Sequence, residues 1–342
     1  MIASLPLPLL VGLFAAAALV IAVVGTLLSR DADMLADRTG LGEAVAGAVF
    51  LGATTSIAGS VTSVTAAAGG DVDLAYSNSL GGIAAQTAFL AIGDVLYRRA
   101  NIEHAAASVE NLTQATMLIL LLAVPLVAGA LPAVTFFGVH PASPILVALY
   151  LGGLRLAHGD RREPMWTPRE TAFTRHDEPE ARRASDPSLA LLALRFAALV
   201  VVTGGAGWIV ARTGLAIAAE TGLAQTVVGA LLTATATSLP ELVTTIAAVR
   251  RGALQLAVGG IIGGNTFDVI FLAASDLAWR DGALYTEIDD RARFWALVGI
   301  VMTAILVLGL IRRERHGPAN IGVESVALLA VYVGAVALAL AL

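Results

Sequence analysis

Residues 39–94 and 221–276 of this chain are one segment written twice, at a constant offset of 182 and with no gap. Thr39-Gly40-Leu41 returns as Thr221-Gly222-Leu223, Thr55-Ser56 as Thr237-Ser238, Gly81-Gly82 as Gly263-Gly264, and Asp94 as Asp276. Twenty of the 56 aligned positions are identical, too many for a chance match of two apolar helices. A gapless duplication constrains the fold more than any one motif does, because both copies must fold alike and bury matching faces.

Composition names the solvent. The chain is 57% apolar and 14% charged, with a mean hydropathy of +0.82. So few charges cannot cover the surface of a water-soluble domain. The apolar residues fall in long runs, read here as ten spans: 8–28, 42–68, 73–97, 111–130, 139–157, 188–211, 223–249, 253–276, 292–312 and 321–341. Each suits a hydrocarbon core about 30 Å thick. The runs are too long for strands and show no period-two alternation. An all-α integral membrane protein is expected, with the lipid bilayer as its first partner. The net charge of −5 gives no reason to expect a nucleic-acid partner, and no protein partner can be inferred. Absence of cysteine excludes disulfides and thiolate metal sites. Residues 1–6 carry no basic n-region, so the first apolar run reads as a retained helix.

The one extended polar stretch, 155–186, is expected to be a cytoplasmic Arg-rich loop. It separates a first membrane half, 1–154, from a second, 187–342. The other basic pairs are Arg98-Arg99, Arg250-Arg251 and Arg312-Arg313. With ten spans all four clusters fall on one face, which the positive-inside rule makes cytoplasmic. Both termini then lie outside, in a plasma (inner) membrane. Five spans per half send the second repeat into the membrane from the opposite side, so the copies are inverted. Inverted halves are the sequence mark of secondary transporters, whose substrate sits between the repeats near mid-membrane.

The second copy carries the chemistry. It reads Thr235-Ala236-Thr237-Ser238-Leu239-Pro240-Glu241. A carboxylate in mid-span costs at least ~2.5 kcal/mol on insertion scales, so it needs a compensating role. Pro240 has no N–H to donate and should kink the helix, freeing carbonyls near residue 236. Free carbonyls, two hydroxyls and a carboxylate make an oxygen-rich site for a hard cation. The next span reads Gly259-Gly260-Ile261-Ile262-Gly263-Gly264-Asn265-Thr266-Phe267-Asp268, and brings a second intramembrane acid. A divalent or a monovalent cation would suit the pair.

These motifs resemble the α-repeat of the cation/calcium exchanger superfamily, best its sodium/calcium exchanger branch, whose pattern is roughly G-T-S-L-P-E-L followed by G-N-x-x-G-S-N. The resemblance implies a ten-helix antiporter with inverted repeats and no cofactor, carrying Ca2+ and Na+ by alternating access. It implies that Glu241 and Asp268 ligate the cation, with the hydroxyls or carbonyls of Thr237 and Ser238. It implies no enzyme activity, and the residues agree: no nucleophile–base pair, phosphate loop or haem motif is present.

The first copy departs from the pattern. Pro240 corresponds to Ala58, Glu241 to Gly59 and Asp268 to Gln86, leaving Thr54, Thr55, Ser56, Asn78 and Gln86, all neutral. Thr55, Ser56 and Gln86 are its candidate ligands. The formal site charge of about −2 comes from one repeat, and weaker calcium binding is expected. A glutamate restored at Gly59 should place a third carboxylate opposite Glu241. Sodium/calcium exchange is the first reading. A proton- or sodium-coupled carrier of another cation, or a non-transporting scaffold or cation sensor, are the alternatives. Asp94 and Asp276 lie near span ends, where anchoring competes with a transport role.

Overall fold

The computed structural model describes residues 2–39, 52–97, 101–162, 187–312 and 321–341. Among these residues the chain is helical almost throughout, and its β structure is one isolated bridge, Phe136–Val139. The first half contains α1 (Leu7–Thr39), α2 (Ile57–Ala68), α3 (Val72–Tyr97), a short α4 (Ile102–Ala105), α5 (Val109–Gly129) and α6 (Ala142–Arg162). The second contains α7 (Leu189–Thr221), α8 (Gln225–Thr237), α9 (Leu239–Arg251), α10 (Leu254–Asp268), α11 (Ile270–Ala278), a short α12 (Leu284–Glu287), α13 (Asp290–Arg312) and α14 (Val323–Ala341).

The duplication is larger than the repeated segment. The offset of 182 carries Leu7–Thr39 onto Leu189–Thr221 and Ile102–Ala105 onto Leu284–Glu287. It also carries the starts of α2 and α3 onto those of α9 and α10, and those of α5 and α6 to within one residue of α13 and α14. Sequence identity has faded in these outer helices, whereas helix length and register have not. Length is held by the bilayer and by packing, which tolerate most apolar exchanges.

Local signals explain the boundaries. Ser188 caps α7 by accepting from the Leu191 N–H at 3.2 Å, and Ser108 caps α5 by accepting from the Asn111 N–H at 3.1 Å. Gly222 and Gly252 close α7 and α9 in the left-handed conformation, with φ of 72° and 82°. Two helices outlast their hydropathy. The expected spans ended at 28 and 211, yet α1 runs to Thr39 and α7 to Thr221. The α1 extension holds Asp31, fully buried, in a two-pronged ion pair with Arg195 of α7.

Among the described residues, seven helices are long and apolar enough to cross a membrane when α10–α11 is taken as one, or eight if the pair α8–α9 counts as one bent span. The ten-span count is therefore not reproduced by length and hydropathy. The described part of the expected span 42–68 is a helical turn at 52–55 followed by the 12-residue α2, and residues 42–51 lie outside the described residues. α6 matches 139–157 in place but ends in Arg155, His158, Asp160, Arg161 and Arg162. Residues 155–162 of the expected loop are thus helical. Its remainder, together with Arg98-Arg99 and Arg313, lies outside the described residues.

The repeats wrap around α3, whose residues are nearly all buried. α8, α9, α10 and α11 of the second half pack against it, as does α14. In return α6 of the first half packs on α11. Each half thus lends its last helix to the other. Asp276 accepts from the His140 N–H at 2.8 Å and the Ser143 hydroxyl at 2.6 Å, at the start of α6. Asp94 accepts from the Gly322 N–H at 2.7 Å, at the start of α14, and from the Ile102 N–H at 3.1 Å. His140 and Gly322 are themselves related by the offset. A buried carboxylate facing unpaired N–H groups at a helix start is stabilising, so both aspartates are anchors between halves.

α1 and α7 pack on each other at one side of this body, presenting Leu19, Val23, Leu194 and Val201 outward. Each touches the core through a glycine. A Cβ at Gly25 would lie 2.5 Å from the Pro240 ring, and one at Gly207 would lie 2.5 Å from the Ala58 carbonyl oxygen. Gly25 pairs with Gly207, and Ala58 with Pro240, at the same offset.

Candidate cation site at the repeat interface

The helix is interrupted at the same serine in both copies, where the backbone turns away from helical angles although each serine keeps its own bond to the carbonyl four residues back. Ser238 has φ −93° and ψ 5°, and Ser56 has φ −87° and ψ 5°. Proline was expected to cause the break. It sharpens the second copy, where α8 and α9 meet at 48° and Val228–Thr233 is a π-turn. Ala58 replaces it in the first, so the interruption does not require proline. What both copies share is Thr-Ser followed by close packing on a glycine.

The two interruptions face each other. The Ser56 hydroxyl donates to Asp268 Oδ1 at 2.6 Å, and Gln86 Nε2 donates to Asp268 Oδ2 at 2.7 Å and to the Ser238 hydroxyl oxygen at 3.1 Å. Ser56 pairs with Ser238 and Gln86 with Asp268 across the repeat. The serine of each copy is therefore bonded to the acid, or its amide substitute, of the other. This crossed pair marks the local two-fold axis.

Around it lies a small pocket lined by Ser56, Gly59, Gln86, Thr237, Ser238, Glu241 and Asp268, with room for about one water-sized guest. Asn78, Gly82 and Phe271 complete the wall, and no basic side chain lines it. Glu241 is 4% exposed and Asp268 3%, so both acids are inside the protein. Glu241 Oε2 and Gln86 Oε1 are buried without a hydrogen-bond partner. Both are acceptors, and an unmatched buried acceptor calls for a donor or a cation.

The structure thus brings together Glu241, Asp268, Thr237, Ser238, Ser56 and Gln86 from the expected ligand set. Thr55 stands behind them. Its hydroxyl donates to the Gly52 carbonyl at 3.0 Å and also touches the Glu241 carboxylate. Asn78 serves structure: it donates to Ser63 at 2.9 Å and to the Gly59 carbonyl at 3.2 Å, and accepts from Thr233 at 2.7 Å. Ser79, which the motifs did not mark, donates to the Asp268 carbonyl at 2.7 Å and steadies the break between α10 and α11.

Phe271 is the residue the motifs missed. A Cβ at Gly59 would lie 2.8 Å from its Cε2. The space opposite Glu241 is thus filled by a ring, and a glutamate at 59 alone cannot enter it without displacing Phe271. The signal was present in the repeat, where Phe271 pairs with Phe89, but an aromatic in an apolar span reads as packing. Among the described residues, no group of three or more His, Cys, Asp or Glu side chains is placed to hold a metal.

Known proteins share this fold. The NCX_Mj sodium-calcium exchanger superimposes with a TM-score of 0.62 over 97% of this chain and 99% of its own, at 18% identity. An H+/Ca2+ exchanger, CAX, gives 0.64 over 96% and 85%, at 14% identity. At such identities the likeness concerns the fold. The sodium/calcium exchanger MaX1 of Methanosarcina acetivorans is 43% identical over 51 residues, a match spanning 15% of each chain. The family described as sodium/calcium exchanger protein matches residues 9–154 and 190–341. That is nearly all of both halves, and this chain is a member of the sodium/calcium exchanger family, a family of membrane transporters rather than enzymes.

Proposed function

We propose that the chain is a secondary antiporter that exchanges Ca2+ for Na+ by alternating access through one asymmetric site. The observation that carries this reading is the buried pair Glu241 and Asp268, enclosed between the two repeats without a basic neighbour in the pocket. Two uncompensated carboxylates within a membrane-spanning body are expensive unless a cation visits them. Glu241 and Asp268 would supply the charge, and Ser56, Thr237, Ser238 and Gln86 the neutral oxygens that replace water around the ion. α1 and α7 are the natural moving element. They lie outside the wrapped core, are tied to each other by Asp31 and Arg195, and meet the core at the glycine contacts beside the site. With the basic clusters in the cytoplasm, both termini lie outside the plasma (inner) membrane and 155–186 faces the cytoplasm.

Flux into proteoliposomes, with Ca2+, Na+ and H+ gradients imposed one at a time, tests the reading. Ca2+ should enter vesicles loaded with Na+ and stop entering when the Na+ gradient is removed. Ca2+ uptake that follows only a proton gradient would reassign the coupling ion. Absence of Ca2+ flux under every gradient would overturn the reading.

A further inference from the structure

Glu241 has a glycine as its repeat partner, and the space that a first-repeat side chain would use is not empty. A Cβ at Gly59 would lie 2.8 Å from Phe271 Cε2 and 3.4 Å from Cζ. The ring is held there. Phe271 is 4% exposed and meets Phe267 edge-to-face, with centroids 6.0 Å apart and planes at 82°. Phe267 in turn meets Tyr150 of α6 at 5.9 Å and 69°. The corresponding Phe89 of the first copy has Ala85 where Phe271 has Phe267. The aromatic brace is thus built on the side of the missing acid.

A cation between Glu241 and Asp268 therefore faces oxygens on one side and hydrocarbon on the other. Ca2+ takes six to eight oxygen ligands at about 2.3–2.6 Å in a loose shell, whereas smaller divalent ions are satisfied by six at shorter range. A ring that supplies no oxygen and admits no water penalises the larger shell more. We propose that Phe271 is the specificity-determining residue of this site, narrowing the coordination shell so that six-coordinate cations compete with Ca2+ better than they would at an open pocket. The inference rests on the reading of the pocket as a cation site, and goes beyond it by naming what sets the choice of ion.

Binding to the purified full chain in detergent decides it, with 45Ca2+ as the probe and Mn2+ as the competing six-coordinate ion. Phe271→Ala opens the wall to a water, and the ratio of Ca2+ to Mn2+ affinity should shift toward Ca2+ by about tenfold. Phe271→Leu keeps the wall apolar and should leave the ratio within about twofold of wild type. A Phe271→Ala shift of less than about threefold, or toward Mn2+, overturns the proposal, as does an equal shift in Phe271→Leu. Should Phe271→Ala fail to fold, Phe267→Ala carries the test by releasing the brace. It should move the ratio the same way by at least about threefold, and an unchanged ratio overturns the proposal. Wild-type protein that binds neither ion overturns the cation-site reading itself, and this inference with it.

Discussion

The second half places an acid at 241 and another at 268, each beside an interrupted helix. The first half places a glycine and a glutamine at the matching positions, with α3 continuous through Gln86. Yet the two halves hold their helices in the same register and meet through the same contacts. Glycine meets residue 58 on one side and residue 240 on the other, and serine bonds to residue 268 on one side and residue 86 on the other. Position and charge have therefore separated in this molecule. Glycine contacts, helix caps and the crossed serines hold the architecture, so the first half could lose its acid without losing its place. Gln86 shows how: its amide donates where a second carboxylate would have repelled Asp268.

The asymmetry between the halves is greatest at Glu241. Glu241→Gln keeps the shape and removes half of the formal site charge, and flux should fall at least about tenfold, since a charged ligand contributes more than ~1.4 kcal/mol. Gly59→Ala changes no charge, and the only contact it tightens beyond ordinary van der Waals distance is with the Phe271 ring. Equal flux in wild type and Glu241→Gln would show that the charge in the second half is not used.

A smaller effect separates the two glycine contacts. At Gly207 an added methyl meets Ala58 backbone atoms at 2.5, 3.0 and 3.1 Å, whereas at Gly25 it meets the Pro240 ring. A ring can pucker away and a helix backbone cannot. Gly207→Ala should cost about 2–3 kcal/mol and Gly25→Ala nearer 1, read as thermal unfolding in detergent. The reverse order would mean that the α1 contact is the tighter one.

The smallest expected difference lies in a threonine pair. Thr62 donates to the Gly207 carbonyl at 2.9 Å and to Ala58 of its own helix at 2.8 Å. Its partner Thr244 donates only within α9, to Pro240 and Glu241 at 3.0 and 3.1 Å. Thr62→Val should lose about 1 kcal/mol more than Thr244→Val, because it breaks a bond between helices. Equal losses in the same melting assay would show that the α2–α7 bond adds no stability.

Much of this was legible beforehand. The expected spans 73–97, 111–130, 253–276 and 292–312 start and end within two residues of α3, α5, the α10–α11 pair and α13. Apolar runs bounded by polar residues are what a bilayer selects. The ends of α1 and α7 were less legible, because hydropathy senses where lipid stops and helical hydrogen bonding does not stop there. Asp31 illustrates the difference. In sequence it looks like the end of a span, and in the structure it is buried against Arg195. The expected ligands gathered in one pocket because a gapless repeat forces like positions toward a common axis. Phe271 was illegible because its effect depends on which helix stands opposite it.

Sequence alone determined the membrane as solvent, the duplication and which repeat carries the acids. Those follow from composition and from a constant offset, which survive without any knowledge of contacts. Only the tertiary structure decided that Asp94 and Asp276 anchor the exchanged last helices, that the helix break needs no proline, and that a braced ring stands where the first repeat lost its acid. Each of these depends on two residues from different halves meeting in space, and the residue types of one chain do not encode such a meeting until the packing brings it about.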